Sequence, residues 1–398
     1  MATGKTLGAA LTRIEQHFAA ADLAAVEREL KPLAAKHGAD PQLQVVQARL
    51  QVARGDVGAG EAALRSVVDR HPDHALARGY LGAVLTGQRQ YEEALPLLES
   101  ALAAGARSPA LEHAVGVALG ASGRHAEALP HLAVAADAMP SWAPTYFYLG
   151  VCYAELGQWD LAADALAQSA RLAPSYTDAF DALARVEVER QQPKAALAAL
   201  DAGLKHNPGQ LDLRRLRVQI LLDHGDLEAA AADLEKIPAK QRDGDDLCTM
   251  ATLAMREQRF DQALDNARTA VRRDPRSARA QHALGLALEG QQPLDRPAVV
   301  AAYRAAIECG DPDGAAGTRL GFVLLEESTV AAWREAQEVL EAAAVRNGRD
   351  PGTLLNWALA CAKNGQRAKA AELCQAIAAA PTANANVRDQ AARLAKQI

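Results

Sequence analysis

Three short segments contain residue types found in ligand-binding motifs, but each lacks part of its motif. Gly4-Lys5-Thr6 resembles the end of a phosphate-binding loop, yet the glycine five residues earlier and the preceding strand that such a loop requires are missing. The Asp/Gly-rich stretches at 243–246 and 311–314 resemble calcium loops without the later glutamate ligand. Helix-start and turn chemistry explains both stretches better, because Asp favours helix N-caps and Gly favours turns.

The spacing of the histidines and cysteines does not indicate a catalytic site or a metal site. No histidine pair has the HExxH spacing of a helix-borne zinc site, and the five cysteines include no CxxC pair. Cys361 and Cys374 are expected to be free and buried. The sequence contains no GxSxG elbow and no GxGxxG loop after a strand. We therefore predict no catalytic residue, metal or cofactor, and a protein that is not an enzyme.

The strongest pattern in the chain is a repeat of 34 residues, which begins at Leu7 and recurs regularly up to Leu211. Repeat position 7 is mostly large and apolar, position 8 is Gly or Ala, position 20 is almost always Ala, and position 32 is often Pro. An apolar or aromatic residue usually occupies position 17, directly after a Gly- or Asp-containing turn. The repeat that begins at Ala143 shows the pattern best: Leu149, Gly150, Trp159, Ala162 and Pro174.

Each repeat predicts two helices joined by a turn. Apolar residues at helical spacing lie on both sides of the turn, and the proline ends the second helix. Glycine inside a helix costs about 1 kcal/mol relative to alanine, so its recurrence at position 8 indicates that the two helices approach closely there. A period of this length is typical of a solenoid, in which each unit contacts only its neighbours.

The pattern resembles the tetratricopeptide repeat family, and the chain looks like a bacterial-type member with many repeats. The resemblance covers residues 7–398 and implies an all-α fold, a right-handed superhelical α-solenoid of about eleven helix-turn-helix repeats with a C-terminal capping helix. We expect a tail over residues 1–6, seven regular repeats over 7–243, four repeats over 244–382, and the capping helix over 383–398. Irregular turns are predicted at 237–243, 291–297 and 326–330.

Composition disfavours nucleic-acid binding and a membrane span. The formal net charge is −6 over 398 residues, without the positive excess typical of a protein that binds a phosphate backbone. No stretch has the roughly 18 consecutive apolar residues of a membrane-spanning helix. Polar residues interrupt the apolar pattern of residues 1–18, which argues against a secretory signal. Because the cysteines are odd in number and unpaired in sequence, we expect a cytoplasmic protein.

In the family, the first helix of each repeat lines a concave groove, so the resemblance implies which residues face a partner. Repeats three to five would give an apolar, aromatic floor: Leu76, Tyr80, His113, Val117, Phe147, Tyr148 and Val151. Later repeats would give a polar, acidic stretch: Asp178, Asp181, Arg185, Asp212, Arg215 and Gln219. Such a groove suits a peptide or partner helix with apolar anchors and a basic flank. Helix packing for the rings and a solvated face for the charges are the alternative interpretations.

These features predict a non-enzymatic adaptor or scaffold that binds a protein segment in the concave groove. A structural subunit or self-assembling scaffold is the alternative, with the irregular turns as docking points. A regulator associated with nucleic acid is a weaker alternative, which the charge balance disfavours. The family's chaperone-binding members clamp a C-terminal carboxylate with Lys and Asn on successive first helices. The corresponding positions here lack that set: Leu11, Glu15, Val45, Arg49, Gly79, Ala83, His113 and Val117.

Overall fold

The computed structural model describes residues 2–20 and 22–398, with the backbone alone for residues 2–6 and 19. Within these residues the protein is all-helical, with 23 helices and no strand. The chain forms two compact units, residues 1–216 and 217–398. The division falls inside the seventh repeat, earlier than the change from regular to irregular repeats that the sequence predicts at 243/244.

The helices come in eleven successive pairs followed by a single helix, as the repeat predicts. The first helices of the pairs are α1 (Ala2–Ala19), α3 (Pro41–Ala53), α5 (Ala75–Gly87), α7 (Pro109–Ala121), α9 (Ala143–Glu155), α11 (Thr177–Glu189), α13 (Leu211–Asp223), α15 (Gly244–Arg256), α17 (Ala278–Glu289), α19 (Ala315–Leu325) and α21 (Pro351–Lys363). The second helices are α2 (Leu23–His37), α4 (Val57–Arg70), α6 (Tyr91–Ala103), α8 (His125–Ala138), α10 (Trp159–Leu172), α12 (Pro193–His206), α14 (Leu227–Glu235), α16 (Phe260–Arg273), α18 (Arg296–Glu308), α20 (Val330–Arg346) and α22 (Arg367–Ala379). The single last helix is α23 (Ala385–Gln397).

Aspartates fix the starts of several second helices. The first amides of a helix have no partner within the helix, so a side-chain oxygen just before it stabilises the start. The carboxylates of Asp56, Asp226 and Asp295 each accept a hydrogen bond from the amide three residues later. Asp56 and Asp226 directly precede position 17 of their repeats, so the aspartate in these turns is an N-cap.

The glycines at position 8 confirm the predicted close approach of the two helices in a repeat. A Cβ on Gly116 would lie 2.5 Å from Cγ of Leu132 and 3.2 Å from the carbonyl oxygen of Ala128, which is position 20 of the same repeat. Gly82 and Gly150 have the same relation to Leu98 and Leu166. The leucine of the second helix therefore occupies the space that a side chain at position 8 would need.

Both ends of the chain are helical. The backbone of residues 2–6, which the sequence predicts as a tail, already lies in α1. At the other end, Ala391 and Leu394 of α23 join the apolar core that Leu354 and Trp357 of α21 help to form. This last helix thus covers an apolar face that the final repeat would otherwise leave open.

The cysteines give a test of this packing. All five are free, as predicted for Cys361 and Cys374, and only Cys309 is not fully buried. Burial raises the pKa of Cys152 and Cys361 to about 11, and the thiolate is the nucleophile. We expect a thiol reagent at pH 8 to label one thiol quickly and four slowly, with the fast phase absent in Cys309→Ser. Two or more fast thiols in the native protein would contradict this packing.

Candidate functional site

An apolar cavity of about 670 Å³ opens among the first helices of the first unit. Phe18 of α1, Val52 of α3 and Tyr80 of α5 contribute to its wall, and Trp142, the residue before α9, closes one side. Most of the remaining lining residues are aliphatic or small. A cavity of this size and character lies within the range of natural ligand pockets, about 300–1,000 Å³.

Arg49 is the one charged residue among the lining residues of this apolar cavity, and its charge is already compensated. Its guanidinium carbon lies 4.3 Å from the ring centre of Phe18 and 4.1 Å from that of Tyr80. Its two terminal nitrogens donate to the Glu15 carboxylate at 2.5 and 3.0 Å. Burial raises the pKa of Tyr80, so the phenol stays neutral. Arg49 therefore forms a flat wall of the cavity, held between two rings.

A continuous aromatic row runs from the apolar cavity along the next repeats: Trp142, His113, Tyr148, Phe147 and Tyr176. The ring centre of His113 lies 4.3 Å from that of Trp142 and 5.7 Å from that of Tyr148. Phe147 lies 5.3 Å from Tyr148 and 5.1 Å from Tyr176, both edge to face. Ring pairs at these distances stabilise one another beyond the area that they bury. The row is thus a preformed surface rather than a set of independent side chains.

The aromatic row is uncharged at neutral pH. Burial lowers the pKa of His113 to about 4, and its Nδ1 lies 3.1 Å from the hydroxyl of Thr145. Burial also raises the pKa of Tyr148 and Tyr176 above the ordinary value of a phenol. At pH 7 all five rings are therefore neutral.

An acidic pocket of about 390 Å³ begins where the aromatic row ends. Phe147 forms part of its wall, together with Asp178, Asp181, Arg185 and Asp212. Arg185 pairs with Asp181 through hydrogen bonds of 2.7 and 3.2 Å. Asp178 and Asp212 are exposed and have no ion pair within 4.0 Å among the residues that the structure describes. The acidic pocket therefore combines two open carboxylates with an aromatic wall.

The structure brings several of the predicted groove residues to these three features. Tyr80 lines the apolar cavity; His113, Phe147 and Tyr148 belong to the aromatic row; and Asp181 and Arg185 line the acidic pocket. The other predicted residues lie elsewhere. Val117 is buried in the core, Leu76, Val151 and Arg215 are half-buried outside both linings, and Gln219 donates to Asp223 in the second unit.

Sequence reasoning missed Phe18, Trp142 and Tyr176 as groove residues, and Arg49 as a wall of the apolar cavity. Trp142 and Tyr176 are the residues directly before α9 and α11, so they share the last position of successive repeats. The sequence did contain a signal for them: two aromatic residues lie 34 positions apart, at a repeat position that has no fixed residue type. Phe18 could also have been found, because it occupies position 12 of the first repeat.

The irregular turns belong to the second unit. The segment at 291–297 runs into the first turn of α18, and with Phe260 its first residues border a shallow pocket of about 460 Å³. The ring of Phe260 is exposed there. A docking role for these turns stays a prediction.

Models of the tetratricopeptide repeat match the chain at residues 45–109, 143–176, 182–245 and 248–314, which together exceed half of its length. The chain belongs to the tetratricopeptide repeat family. Tetratricopeptide repeats generally mediate protein–protein interactions, and the predicted all-α solenoid of such repeats is confirmed. No curated protein matches the sequence.

Solved tetratricopeptide repeat structures resemble the chain at low identity. Yeast Tom70 is 14% identical with a TM-score of 0.44, over 99% of this chain and 96% of that one. YrrB, described as having an unusual peptide-binding site, is 22% identical with a TM-score of 0.39, over 46% and 95%. PilF of Pseudomonas aeruginosa is 19% identical with a TM-score of 0.42, over 52% and 95%.

Neither a membrane-spanning helix nor a metal-binding group of side chains is found among the residues that the structure describes. No helix there combines the length and the apolar character needed to cross a membrane. No three His, Cys, Asp or Glu side chains come together there in an arrangement that could hold a metal ion.

Proposed function

We propose that the first unit of this tetratricopeptide repeat protein binds a segment of a partner protein along the apolar cavity, the aromatic row and the acidic pocket, which together we call the groove. The protein would act as a non-enzymatic adaptor or scaffold. The aromatic row is the observation that supports this proposal. Its rings make an uninterrupted line across two repeats, and Trp142 keeps 36% of its surface exposed. Partly exposed aromatic residues that cluster in this way are enriched at binding hot spots.

Rigidity of the groove favours binding of a flexible segment. The rings contact one another and the helices beneath them, so little side-chain freedom remains to be lost when a partner binds. Rigid aromatic anchors also provide a large contact area at a low entropic cost. The ordering cost therefore falls mainly on the partner segment. The groove would contribute to binding through the position and shape of its surface, without any chemical step.

A double substitution in the aromatic row tests the proposal. In Phe147→Glu/Tyr148→Glu, two carboxylates replace neighbouring rings, and an apolar segment would have to desolvate them. We expect at least a tenfold loss of partner capture in a quantitative crosslinking pull-down from the native cell. Both side chains are only half-buried, so far-UV circular dichroism should show unchanged helical content.

The matched control is Val134→Glu/Leu161→Glu. It introduces the same charge on the exposed faces of α8 and α10, in the two repeats that contain the aromatic row. We expect it to capture the same partners as the unmodified protein. If the ring variant stays folded and captures its partners normally, the groove is not the binding site.

A further inference from the structure

The groove has two chemically different ends. At the apolar cavity, the only charged lining residue is Arg49, which lies between two rings and is neutralised by Glu15. At the acidic pocket, Asp178 and Asp212 remain open to solvent without an ion pair in the described part of the chain. The aromatic row between them is neutral. A segment bound along the groove therefore meets an apolar, then an aromatic, then an acidic environment in a fixed order.

Packing of the helices sets the separation of the two ends. Within the first unit, α5 contacts α7, α7 contacts α9, and α9 contacts α11. Packed helices lie roughly 8–10 Å apart, so Tyr80 on α5 and Asp178 on α11 are separated by three such steps, or roughly 24–30 Å. An extended chain advances about 3.3–3.6 Å per residue and covers this distance in roughly seven to nine residues. A helix, at about 1.5 Å per residue, would need roughly 16–20.

Resting on the proposed function, we propose that the partner segment is extended, with a bulky apolar side chain in the apolar cavity and an arginine or lysine in the acidic pocket. The two side chains would lie roughly seven to nine residues apart. The groove would thus select a linear motif that contains one bulky apolar residue and one basic residue. The motif would bind in a single direction, because the two pockets cannot exchange their ligands.

Charge complementarity decides the ligand of the acidic pocket. Arg185 already shows how a guanidinium fits there, with two hydrogen bonds to the Asp181 carboxylate. Asp178 and Asp212 offer the same acceptors to a second cation, and the ring of Phe147 lies beside them. A guanidinium can bind a carboxylate and stack on a ring at the same time. An acidic segment would instead face two unpaired negative charges.

The ligand of the apolar cavity follows from its lining. The aliphatic lining residues offer no hydrogen-bonding side chain, and the charge of Arg49 is taken up by Glu15. Gln88, the one amide in the lining, already donates to Glu61. A polar side chain placed there would find little compensation for its lost hydration. A volume of about 670 Å³ accommodates a tryptophan, phenylalanine or leucine side chain. Apolar burial would supply most of the affinity, and the acidic pocket would set specificity and orientation.

Selection from a phage-displayed library of random 16-residue peptides on the immobilised full chain tests the proposal. We expect enriched peptides to carry an aromatic or large aliphatic residue and an Arg or Lys at the stated separation. Binding of the synthesised peptides is then measured by fluorescence polarisation at two salt concentrations. In Asp178→Asn/Asp212→Asn, we expect at least tenfold weaker binding and a reduced salt dependence. The same variant should bind a peptide whose Arg is replaced by Gln as well as the unmodified protein does.

Two further variants separate the possible outcomes. Asp137→Asn/Asp164→Asn makes the same charge change on exposed positions of α8 and α10 and should leave peptide binding unchanged. Ala83→Trp fills the apolar cavity and should abolish binding of the selected peptides. Peptides that depend on Ala83 but lack a basic residue, or bind the Asn variant equally well, would overturn this inference and leave the proposed function standing. No enrichment, or binding that neither Ala83→Trp nor Phe147→Glu/Tyr148→Glu affects, would overturn both.

Discussion

Gly116→Val is expected to destabilise the first unit by about 2–3 kcal/mol, because a side chain at this position has no space. Its Cβ would lie 2.5 Å from Cγ of Leu132, an atom close to the backbone that cannot swing aside like the end of a flexible side chain. The carbonyl oxygen of Ala128 limits movement on the other side at 3.2 Å. Valine fits the helix itself somewhat better than glycine, but that gain is smaller than the cost of separating α7 from α8.

Urea denaturation followed by circular dichroism and tryptophan fluorescence measures this effect. Trp142 ends the repeat that contains Gly116 and Trp159 lies in the next repeat, so both report on the first unit. Gly58→Val is the matched control, since a Cβ there meets nothing within 4 Å and the position is exposed on α4. We expect the control to stay within about 0.5 kcal/mol of the unmodified protein. Equal losses in both variants would contradict the packing explanation of this glycine.

A second substitution at the same contact sharpens the interpretation. Leu132→Ala alone should cost about 2–5 kcal/mol, because it leaves a cavity beneath α7. Combined with Gly116→Val, it should cost less than the sum of the two single changes, since valine then occupies part of the vacated space. Additive losses would show that the two residues are not in contact. The repeat glycine would then need a different explanation.

The sequence predicted the helices well because the repeat constrains them at every level. First helices begin at Pro41, Ala75, Pro109, Ala143 and Thr177, the starts that the 34-residue register predicts. Close packing at position 8, capping before position 17 and a break near position 32 act independently and agree with one another. Errors in one signal are therefore corrected by the next repeat. The groove on the first helices comes from the family resemblance instead, and its role in binding stays a prediction.

Side-chain environments in the groove were predicted less well, because they depend on pairs of residues rather than on position. Tyr80 was placed on the surface of the groove, yet it is 8% exposed because Arg49 covers its ring. Val117 is 4% exposed because it lies inside the apolar core formed by its own and neighbouring repeats. A periodic pattern assigns a residue to a helix face. It does not say which long side chain from a neighbouring repeat will cover it.

The aromatic row includes residues that the repeat pattern did not assign to the groove. Its members come from repeat positions 5, 6 and 34, and only the first two are positions at which the family places groove residues. Trp142 and Tyr176 extend the row because the ring at the end of each repeat reaches back to the first helix of the same repeat. Such contacts depend on rotamers and on the angle between helices, which residue spacing does not encode.

Helix-start chemistry was predicted for the two Asp/Gly-rich stretches that resemble calcium loops, and the structure confirms it. Asp243 caps α15 in a reciprocal pair with Asp246, in which each carboxylate accepts from the other's backbone amide. Asp311 accepts from two amides at the start of α19. Carboxylates are favourable there because the first turn of a helix carries partial positive charge. Asp311 is the more consequential of the two starts, since it is 3% exposed and has a backbone φ of 32°.

Asp311→Ala is expected to cost about 2–3 kcal/mol in the stability of the second unit. The carboxylate accepts from Ala316 at 3.0 Å and from Gly317 at 2.9 Å, and both amides are buried. Alanine would leave them without a partner and with little access to water. Fluorescence of Trp333 and Trp357 during urea unfolding reports this loss, since both lie in the second unit.

Asp313→Ala is the matched control for the same helix start. Asp313 is exposed and accepts from the amide of Ala315 at 3.1 Å, where water can replace it, so the cost should stay below about 1 kcal/mol. Asp311→Asn should give an intermediate loss, because it retains one acceptor oxygen but not the charge. Equal losses at the two aspartates would show that burial does not matter here. A small loss at Asp311 would instead show that the two buried amides do not depend on its carboxylate.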